Sequence, residues 1–240
     1  MRILAIESSG RDGSLAALEA ADAGQASDGA ARVVSEVAIT GPERTAQMLA
    51  PRLREMLEAI GWEAKSIQLV CVAVGPGSFT GLRIGVTTAK TFAYAVGADV
   101  VGVDTLAVIA SQAPKAEPPV WVVMDAQRGE LFAAKFFEGR MEAAPRILTQ
   151  QEWKRLLASG DHVGGPGLKR LSVELPDGVS ILDKSSWQPM AAAVGQLGWR
   201  EYSAGRKDDL WTMVPLYYRL SAAEEKRDKE NGRQGDKETR

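Results

Sequence analysis

The sequence predicts an α/β protein with two related domains, which we place at residues 1–104 and 105–220. Short apolar runs typical of buried strands alternate with stretches of helical periodicity. The segment 121–137 repeats the plan of the segment 2–18: an apolar strand, an Arg- and Gly-containing turn, and a second strand that opens with leucine. With 240 residues, of which 45% are hydrophobic, the chain is long enough to form two small cores.

The first domain is expected to begin with a β-hairpin. An apolar run over residues 3–6 ends at Glu7, polar turn residues follow, and a second apolar run begins at Leu15. We predict a loop over 19–31 and a third strand over 33–39.

A helix is predicted over residues 43–60, because an apolar stripe recurs there at helical spacing, with a second stripe beside it. The first stripe contains Leu49, Leu53, Leu57 and Ile60, and the second contains Met48, Arg52 and Met56. Pro51 lies inside this helix and is expected to kink or restart it.

The remaining elements of the first domain surround a glycine-rich segment. A strand over 69–74 leads into "GPGSFTG", a helix follows over 80–96, and a further strand spans 100–103. Asp104 is expected to cap a short helix that begins at Thr105.

The second domain follows a Pro-rich connection at 111–119. Beyond the repeated hairpin we predict helices over 150–158 and 190–202, a short strand before "GGPG" (164–167), and an extended segment at 213–219. Six acids and six bases with almost no apolar residues predict a charged, disordered tail over the last twenty residues, 221–240.

The composition argues against several classes of protein. A net charge of −2 gives no overall basic field of the kind that holds RNA. One cysteine, Cys71 in an apolar run, allows no internal disulfide, and the lone His162, expected in a turn, gives little support to triad chemistry or a metal site. Because no segment approaches 18 continuous apolar residues and no signal-like segment opens the chain, we expect a cytoplasmic protein.

The glycine-rich segment raises the question of a phosphate site. It matches neither the Walker A pattern, since Leu82 and Arg83 follow Gly81, nor the Gly-x-Gly-x-x-Gly pattern. Two interpretations stay open: a helix N-terminus that binds phosphate, and a tight turn that lets the helix pack close to the sheet. The candidate cofactor-binding residues are Glu7, Gly75, Gly77 and Ser78.

Glu7 and Asp125 each end a strand, where ligand-binding acids often lie in open α/β sheets. We favour a turn-capping role, in which Asp125 accepts hydrogen bonds from the amides of Gln127 or Arg128.

Residues 75–85, "GPGSFTGLRIG", closely resemble the signature of the TsaB (YeaZ) family of bacterial tRNA threonylcarbamoyladenosine biosynthesis. The segments "ILAIESS", "VDTLAVIA", "MDAQRGELF" and "VPLYYR" are similar to further family motifs. The resemblance covers residues 1–109, 120–138 and 212–219.

The resemblance implies two tandem actin-like (Hsp70-like, ribonuclease H-like) ATPase domains that are degenerate, which agrees with the internal repeat. It implies no catalytic residue, no cofactor and no metal. Family members pair with the catalytic paralogue TsaD, and with the ATPase TsaE, to modify adenosine 37 of ANN-decoding tRNAs. The implied contact with tRNA is through the complex alone, and no membrane is involved.

The resemblance also implies that the helices at 43–60 and 80–96 form a surface for TsaD and for a homodimer of the isolated chain. The expected interface residues are Thr45, Met48, Leu49, Arg52, Met56, Phe79, Arg83, Val86, Thr87 and Lys90. The methionines of the second stripe support this, because they give more apolar surface than one sheet requires.

Two positions of the first helix distinguish this chain from the catalytic paralogue, which binds metal through a His-x-x-x-His motif. Thr45 and Leu49 stand at those positions, and neither is a good ligand for a transition metal. The chain also has Thr45-Ala46-Gln47 where family members usually have His-Ser-Glu, so the outward surface of the helix differs.

An enzyme is the alternative: an independent ATP-using phosphotransferase of the actin-like superfamily, with Glu7, Ser78 and Asp125 near the phosphates. Such a site normally carries more acids and glycines in its phosphate loops. A peptidase is a third interpretation, and the lone His162 leaves it without a nucleophile and base pair.

Overall fold

The computed structural model describes residues 1–21, 30–40, 45–114, 119–142 and 144–218, apart from the side chains of residues 45 and 46. The predicted loop at 19–31 lies partly, and the predicted tail at 221–240 wholly, outside the described residues. The chain forms two β-sheets, one from each half of the sequence, with helices packed against them.

The first sheet contains five strands in the order β3-β2-β1-β4-β5. They are β1 (Arg2–Glu7), β2 (Gly13–Glu19), β3 (Arg32–Ile39), β4 (Leu69–Gly75) and β5 (Asp99–Asp104). β1, β2 and β3 are antiparallel neighbours, whereas β4 and β5 run parallel to β1. The predicted hairpin and the strands that follow it are confirmed, and the carboxyl ends of β1 and β4 meet at one edge of the sheet.

Helices cover both faces of this sheet. They are α1 (Thr45–Ala59), α2 (Phe79–Val96), α3 (Thr105–Ser111) and α5 (Ala191–Ser203), whereas α4 (Gln150–Leu156) packs on the second sheet. Alternate residues of β1 point to opposite faces: Leu4 packs in the core formed with α1 and α2, and Ile3 packs in the core formed with α3 and α5. Asp104 caps α3 by accepting a hydrogen bond from the Ala107 amide, as predicted.

α1 continues through Pro51, so the helix does not restart at this residue. Pro51 is exposed, so it lies on the side of the helix that faces away from the core. The buried leucines of α1 keep their helical spacing on the sheet side.

The second sheet has the order β11-β10-β6-β7-β8, with β9 paired to β7. Its strands are β6 (Val120–Gln127), β7 (Glu130–Phe137), β8 (Arg140–Met141), β9 (Arg146–Thr149), β10 (His162–Gly164) and β11 (Ser180–Ile181). An antiparallel hairpin, β6–β7, stands beside a parallel strand, β10, just as β1–β2 stands beside β4. The repeat seen in the sequence is therefore a repeat of structure.

α5 comes from the second half of the chain and packs on the first sheet. Gly195 and Gly198 make this close approach possible, because a Cβ at either position would collide with Leu18 or with Cys71. Cys71 is fully buried on β4, as the sequence predicted, and burial raises the pKa of its thiol. None of the described helices combines the length and apolar character needed to span a bilayer.

Candidate functional site

The glycine-rich segment forms a groove for the turn that follows β1. A Cβ built on Gly77 would lie 2.5 Å from the Ser9 carbonyl oxygen. A Cβ on Gly81 would be closer still to the Ser8 carbonyl oxygen, and one on Gly85 would overlap Ser8 Oγ. Real Cβ atoms do not make such contacts, so glycine at these three positions lets the helix lie directly against the turn.

Hydrogen bonds fix the turn in this groove. Ser8 Oγ donates to the Gly81 carbonyl at 2.9 Å, and the Ser78 amide donates to the Ser9 carbonyl at 2.7 Å. Ser78 Oγ caps α2 by accepting from the Gly81 amide. These contacts account for the glycines by close packing, which is the second of the two interpretations left open by the sequence.

Glu7 ends β1 inside this junction and is 1% exposed. Its carboxylate accepts hydrogen bonds from the Ser9 amide at 2.7 Å and from the Ser9 hydroxyl. Burial raises its pKa to about 7, because desolvation outweighs the opposing effect of these hydrogen bonds. Glu7 is thus enclosed in the turn.

A cleft with a volume of about 940 Å³ lies between the two halves of the chain, where both hairpins end. Its walls are the β1–β2 turn, the start of α2, the β6–β7 turn, the 3₁₀ helix Pro166–Arg170 and residues 216–218. Gly77 and Ser78 line the cleft, whereas Glu7 and Gly75 do not. The volume is in the range of small-molecule sites.

Charged side chains line the cleft at both hairpins. The cations are Arg11, Arg128, Lys169 and Arg170, and the acids are Asp12 and Asp125. Asp125 accepts a hydrogen bond from the Gln127 amide at 2.8 Å, which confirms its predicted turn-capping role, and it pairs with Arg170 at 2.6 Å.

A second glycine loop, which the sequence analysis noted only as the end of a strand, packs equally closely on the backbone of β6 in the other half. A Cβ on Gly165 would overlap the Val123 carbonyl oxygen, and one on Gly167 would lie 3.0 Å from backbone atoms of Val123 and Met124. "GGPG" after β10 therefore corresponds to "GPG" after β4. The Gly-Pro-Gly shared by the two loops is the signal in the sequence that could have identified the second one.

Several residues expected on the partner surface lie instead in the core. Leu49, Met56 and Val86 are 1%, 2% and 3% exposed, and Met48 is half-buried against the same cluster. This corrects the expectation of a surplus apolar face on α1, because its methionines fill the space between α1 and the first sheet.

The other expected residues lie at or near the surface. Arg52, Arg83 and Thr87 are exposed, Phe79 and Lys90 are half-buried, and the Thr45 side chain lies outside the described part. Arg52 pairs with Glu55 of the same helix at 2.9 Å.

Residues 205–218, which we call the C-terminal strap, lie across α2. Lys90 Nζ donates to the Met213 carbonyl at 2.9 Å and to the Trp211 carbonyl at 3.3 Å. Arg83 Nε donates to the Tyr217 hydroxyl at 3.0 Å, and the Tyr217 ring stacks at 4.6 Å from Phe79. Three residues expected to contact a partner thus contact the strap.

The strap also exposes apolar side chains beside α2. Trp211 is 72% exposed and packs edge-on against Tyr94 of α2, which is 67% exposed, with ring centroids 5.5 Å apart. Val214 is 61% exposed. Exposed aromatic and aliphatic groups gathered in this way are typical of interaction surfaces.

The part of the chain that the structure describes contains no cluster of potential metal ligands. No three His, Cys, Asp or Glu side chains of that part gather as metal ligands. His162, expected in a turn, is the first residue of β10 and is half-buried. Leu49, one of the two residues that the resemblance places opposite expected metal ligands of the paralogue, is a core residue.

A protein-family model described as TsaD, tRNA N6-adenosine threonylcarbamoyltransferase, matches residues 41–172, more than half of the chain. The tRNA threonylcarbamoyladenosine biosynthesis protein TsaB of Bacillus subtilis is 26% identical over 187 residues, covering 73% of this chain and 80% of the relative. The protein of that name from Escherichia coli is 30% identical over 138 residues, or 57% of this chain and 55% of the relative.

Solved structures give the fold. The structure of YeaZ from Pseudomonas aeruginosa superimposes with a TM-score of 0.70 at 22% identity, covering 90% of this chain and 99% of that one. A second Pseudomonas aeruginosa structure, described as similar to peptidase YeaZ, has a TM-score of 0.71. The predicted fold class, two actin-like domains of the ribonuclease H-like type, is confirmed. The chain belongs to the family that this TsaD model describes, within its TsaB (YeaZ) branch.

Proposed function

We propose that this chain is a non-catalytic subunit in the biosynthesis of threonylcarbamoyladenosine in tRNA. It pairs with a TsaD-type catalytic paralogue and acts with a TsaE-type ATPase on adenosine 37 of ANN-decoding tRNAs. Relatives named for this biosynthesis support the role. One observation supports the proposal that the chain is not itself catalytic. The glycines of the signature pack against Ser8 and Ser9, and Glu7 is enclosed beneath these residues.

The partner surface of the proposal is the outer side of α2. Thr80, Arg83 and Thr87 are exposed at spacings of three and four residues, so they lie along one stripe of the helix. Phe79 and Lys90 flank this stripe, and Arg52 of α1 is retained as a peripheral contact. The isolated chain pairs with itself through the same surface, it acts in the cytoplasm, and it meets tRNA only through the complex.

Reconstitution tests this proposal. The chain is combined with the TsaD-type and TsaE-type proteins of the same organism, tRNA, threonylcarbamoyl adenylate and ATP, and the modified nucleoside is measured. Modification should require the chain, and the chain alone should be inactive. Modification by the chain without the paralogue, or full modification in its absence, would contradict the proposal.

The cleft favours one alternative, an ATP-using phosphotransferase. Ser78 and Asp125 both line it, and Arg11 and Arg128 extend into it from the two hairpins. Calorimetry with ATP and Mg²⁺, followed by a hydrolysis assay, separates the two functions. Hydrolysis that Asp125→Asn abolishes and the remote exposed variant Arg140→Ala leaves intact would favour the enzyme.

A further inference from the structure

The C-terminal strap contacts Arg83 and covers Phe79 and Lys90, the residues that flank the surface assigned to the partner by the proposed function. The Tyr217 ring covers Phe79, and the Arg83 guanidinium is held over the Phe79 ring at 4.0 Å while its Nε bonds to Tyr217. One helical turn beyond Thr87, Lys90 is held by two strap carbonyls. A helix of another protein that contacts Phe79 and Lys90 together with the exposed stripe needs the space that the strap fills.

One end of the strap is firmly anchored. Asp208 forms an antiparallel bridge with Val100, and its carboxylate accepts from the Gly102 amide at 2.7 Å. Arg206 donates to the Gly102 carbonyl at 2.8 Å and pairs with Asp208 and Glu201. Residues 205–208 therefore stay with β5.

Residues 209–217 lie between this anchor and a second one at Tyr218, whose hydroxyl donates to Asp104 at 3.3 Å and whose ring packs 6.0 Å from that of Phe132. The stretch between the anchors buries little apolar area, and Leu210 is only half-buried against the core. Within residues 209–217, all of them described, Met213 is the large apolar residue that is buried, at 8% exposure. The Leu216 amide donates to the Val74 carbonyl at 2.7 Å, but the Leu216 side chain is 43% exposed. Segments that bury little apolar area open locally at low free-energy cost. Residues 209–217 can thus leave α2 while the anchors at Asp208 and Tyr218 stay in place.

We infer that the strap is an autoinhibitory element: residues 209–217 and the TsaD-type paralogue compete for the outer side of α2. This inference rests on the proposed function. Binding of the paralogue exposes Phe79, Arg83 and Lys90 by displacing the strap, so the measured affinity is lowered by the fraction of chains in which the strap is docked. Because of the strap, a higher concentration of the paralogue is needed to assemble the complex.

Two variants of the full chain test this competition. Leu216→Pro removes the amide that bonds to Val74, and Leu216→Ala removes a similar side chain but keeps the amide. Affinity for the paralogue is measured by calorimetry, and amide hydrogen exchange is followed in the free chain and in the complex. We expect Leu216→Pro to bind about tenfold more tightly than Leu216→Ala. We also expect the Leu216 amide of the native chain to exchange faster in the complex, while α2 becomes protected.

The outcomes separate the strap from the proposed function. If the paralogue protects both α2 and the strap, or if Leu216→Pro binds no more tightly than Leu216→Ala, competition is overturned and the proposed pairing stands. If neither the native chain nor Leu216→Pro binds the paralogue, both ideas fall. Circular dichroism and thermal unfolding of both variants establish that the fold is intact.

Discussion

Gly81 lies directly against Ser8, so closely that a side-chain carbon on the glycine would occupy the space of the serine carbonyl oxygen. This contact joins the start of α2 to the end of β1. It explains the glycine spacing of the signature without a phosphate ligand.

Gly81→Ala should destabilise the chain by about 3 kcal/mol, because backbone must shift to admit the methyl group. Gly85→Ala should cost less, since its new carbon meets the Ser8 hydroxyl, which can rotate away. Urea unfolding measures both free energies, with Thr80→Ala on the exposed side of α2 as the control. Equal and small effects at both glycines would contradict the packing account.

Removing the Ser8 hydroxyl should restore part of the stability that Gly85→Ala loses. In Ser8→Ala/Gly85→Ala the overlapping oxygen is gone, so the double variant should be more stable than the sum of the single changes predicts, by about 1 kcal/mol. A double-mutant cycle from urea unfolding gives this coupling. Additive single changes would show that the hydroxyl is not the obstacle.

Glu7 should make stability depend on pH. Its pKa is about 7 in the folded chain and 4.5 ordinarily, so the folded state binds more protons than the unfolded state between these values. Stability contributed by the protonated carboxyl is therefore present below pH 4.5 and is lost as the pH rises to about 7. Relative to Glu7→Gln, which does not titrate, the native chain should lose about 3 kcal/mol between pH 4.5 and pH 8. Urea unfolding of both chains across this range gives the difference, and a constant difference would show that Glu7 does not titrate there.

Asp161 should be essential for the second domain. It is 3% exposed and accepts hydrogen bonds from Trp121 Nε1 at 3.1 Å and the Ala158 amide at 2.9 Å, and it pairs with Lys135 at 3.1 Å. Asp161→Ala leaves these donors without their acceptor and should cost about 3–5 kcal/mol.

Glu58 provides the matched control for this change. It pairs with Arg54 at 2.7 Å on the exposed side of α1, so Glu58→Ala should cost about 0.5 kcal/mol or less. Thermal and urea unfolding compare the two variants. Similar losses of unfolding free energy in both variants would mean that burial does not determine how much the Asp161 contacts stabilise the chain.

Neighbouring residues of α2 should respond in opposite ways to a negative charge. Thr87→Glu lies on the proposed partner surface and should weaken pairing by about 2 kcal/mol while the monomer stays folded. Val86→Glu places a charge in the core and should unfold the chain. Calorimetric binding to the paralogue and circular dichroism distinguish these effects. If a folded Thr87→Glu chain pairs normally with the paralogue, the partner surface is not this stripe of α2.

Much of the fold follows from local pattern. Apolar runs identified β1, β2, β4 and β6, because these strands are buried on both faces, and helical spacing identified α1, α2 and α5, because each helix buries one face. The repeat of the hairpin was visible for the same reason. The strands β8 and β11 were not predicted, since two residues carry no periodicity.

The side-chain surroundings were less accessible to sequence reasoning. A methionine stripe on α1 has the same spacing whether it faces a partner or the core. In the structure, the way α1 packs on the first sheet buries Met56 in the core. The charged residues of the cleft were also scattered in sequence, so their convergence depended on how the two sheets are placed.

The sequence by itself determined the two-domain α/β architecture, the buried Cys71 and the family signature, because these depend on short-range pattern and motif. Only the tertiary structure decided that Gly77, Gly81 and Gly85 form a groove for Ser8 and Ser9, that α5 returns to the first sheet, and that the strap lies across α2. Each of these involves residues far apart in the chain, and their contacts are set by the joint packing of several elements rather than by any local preference.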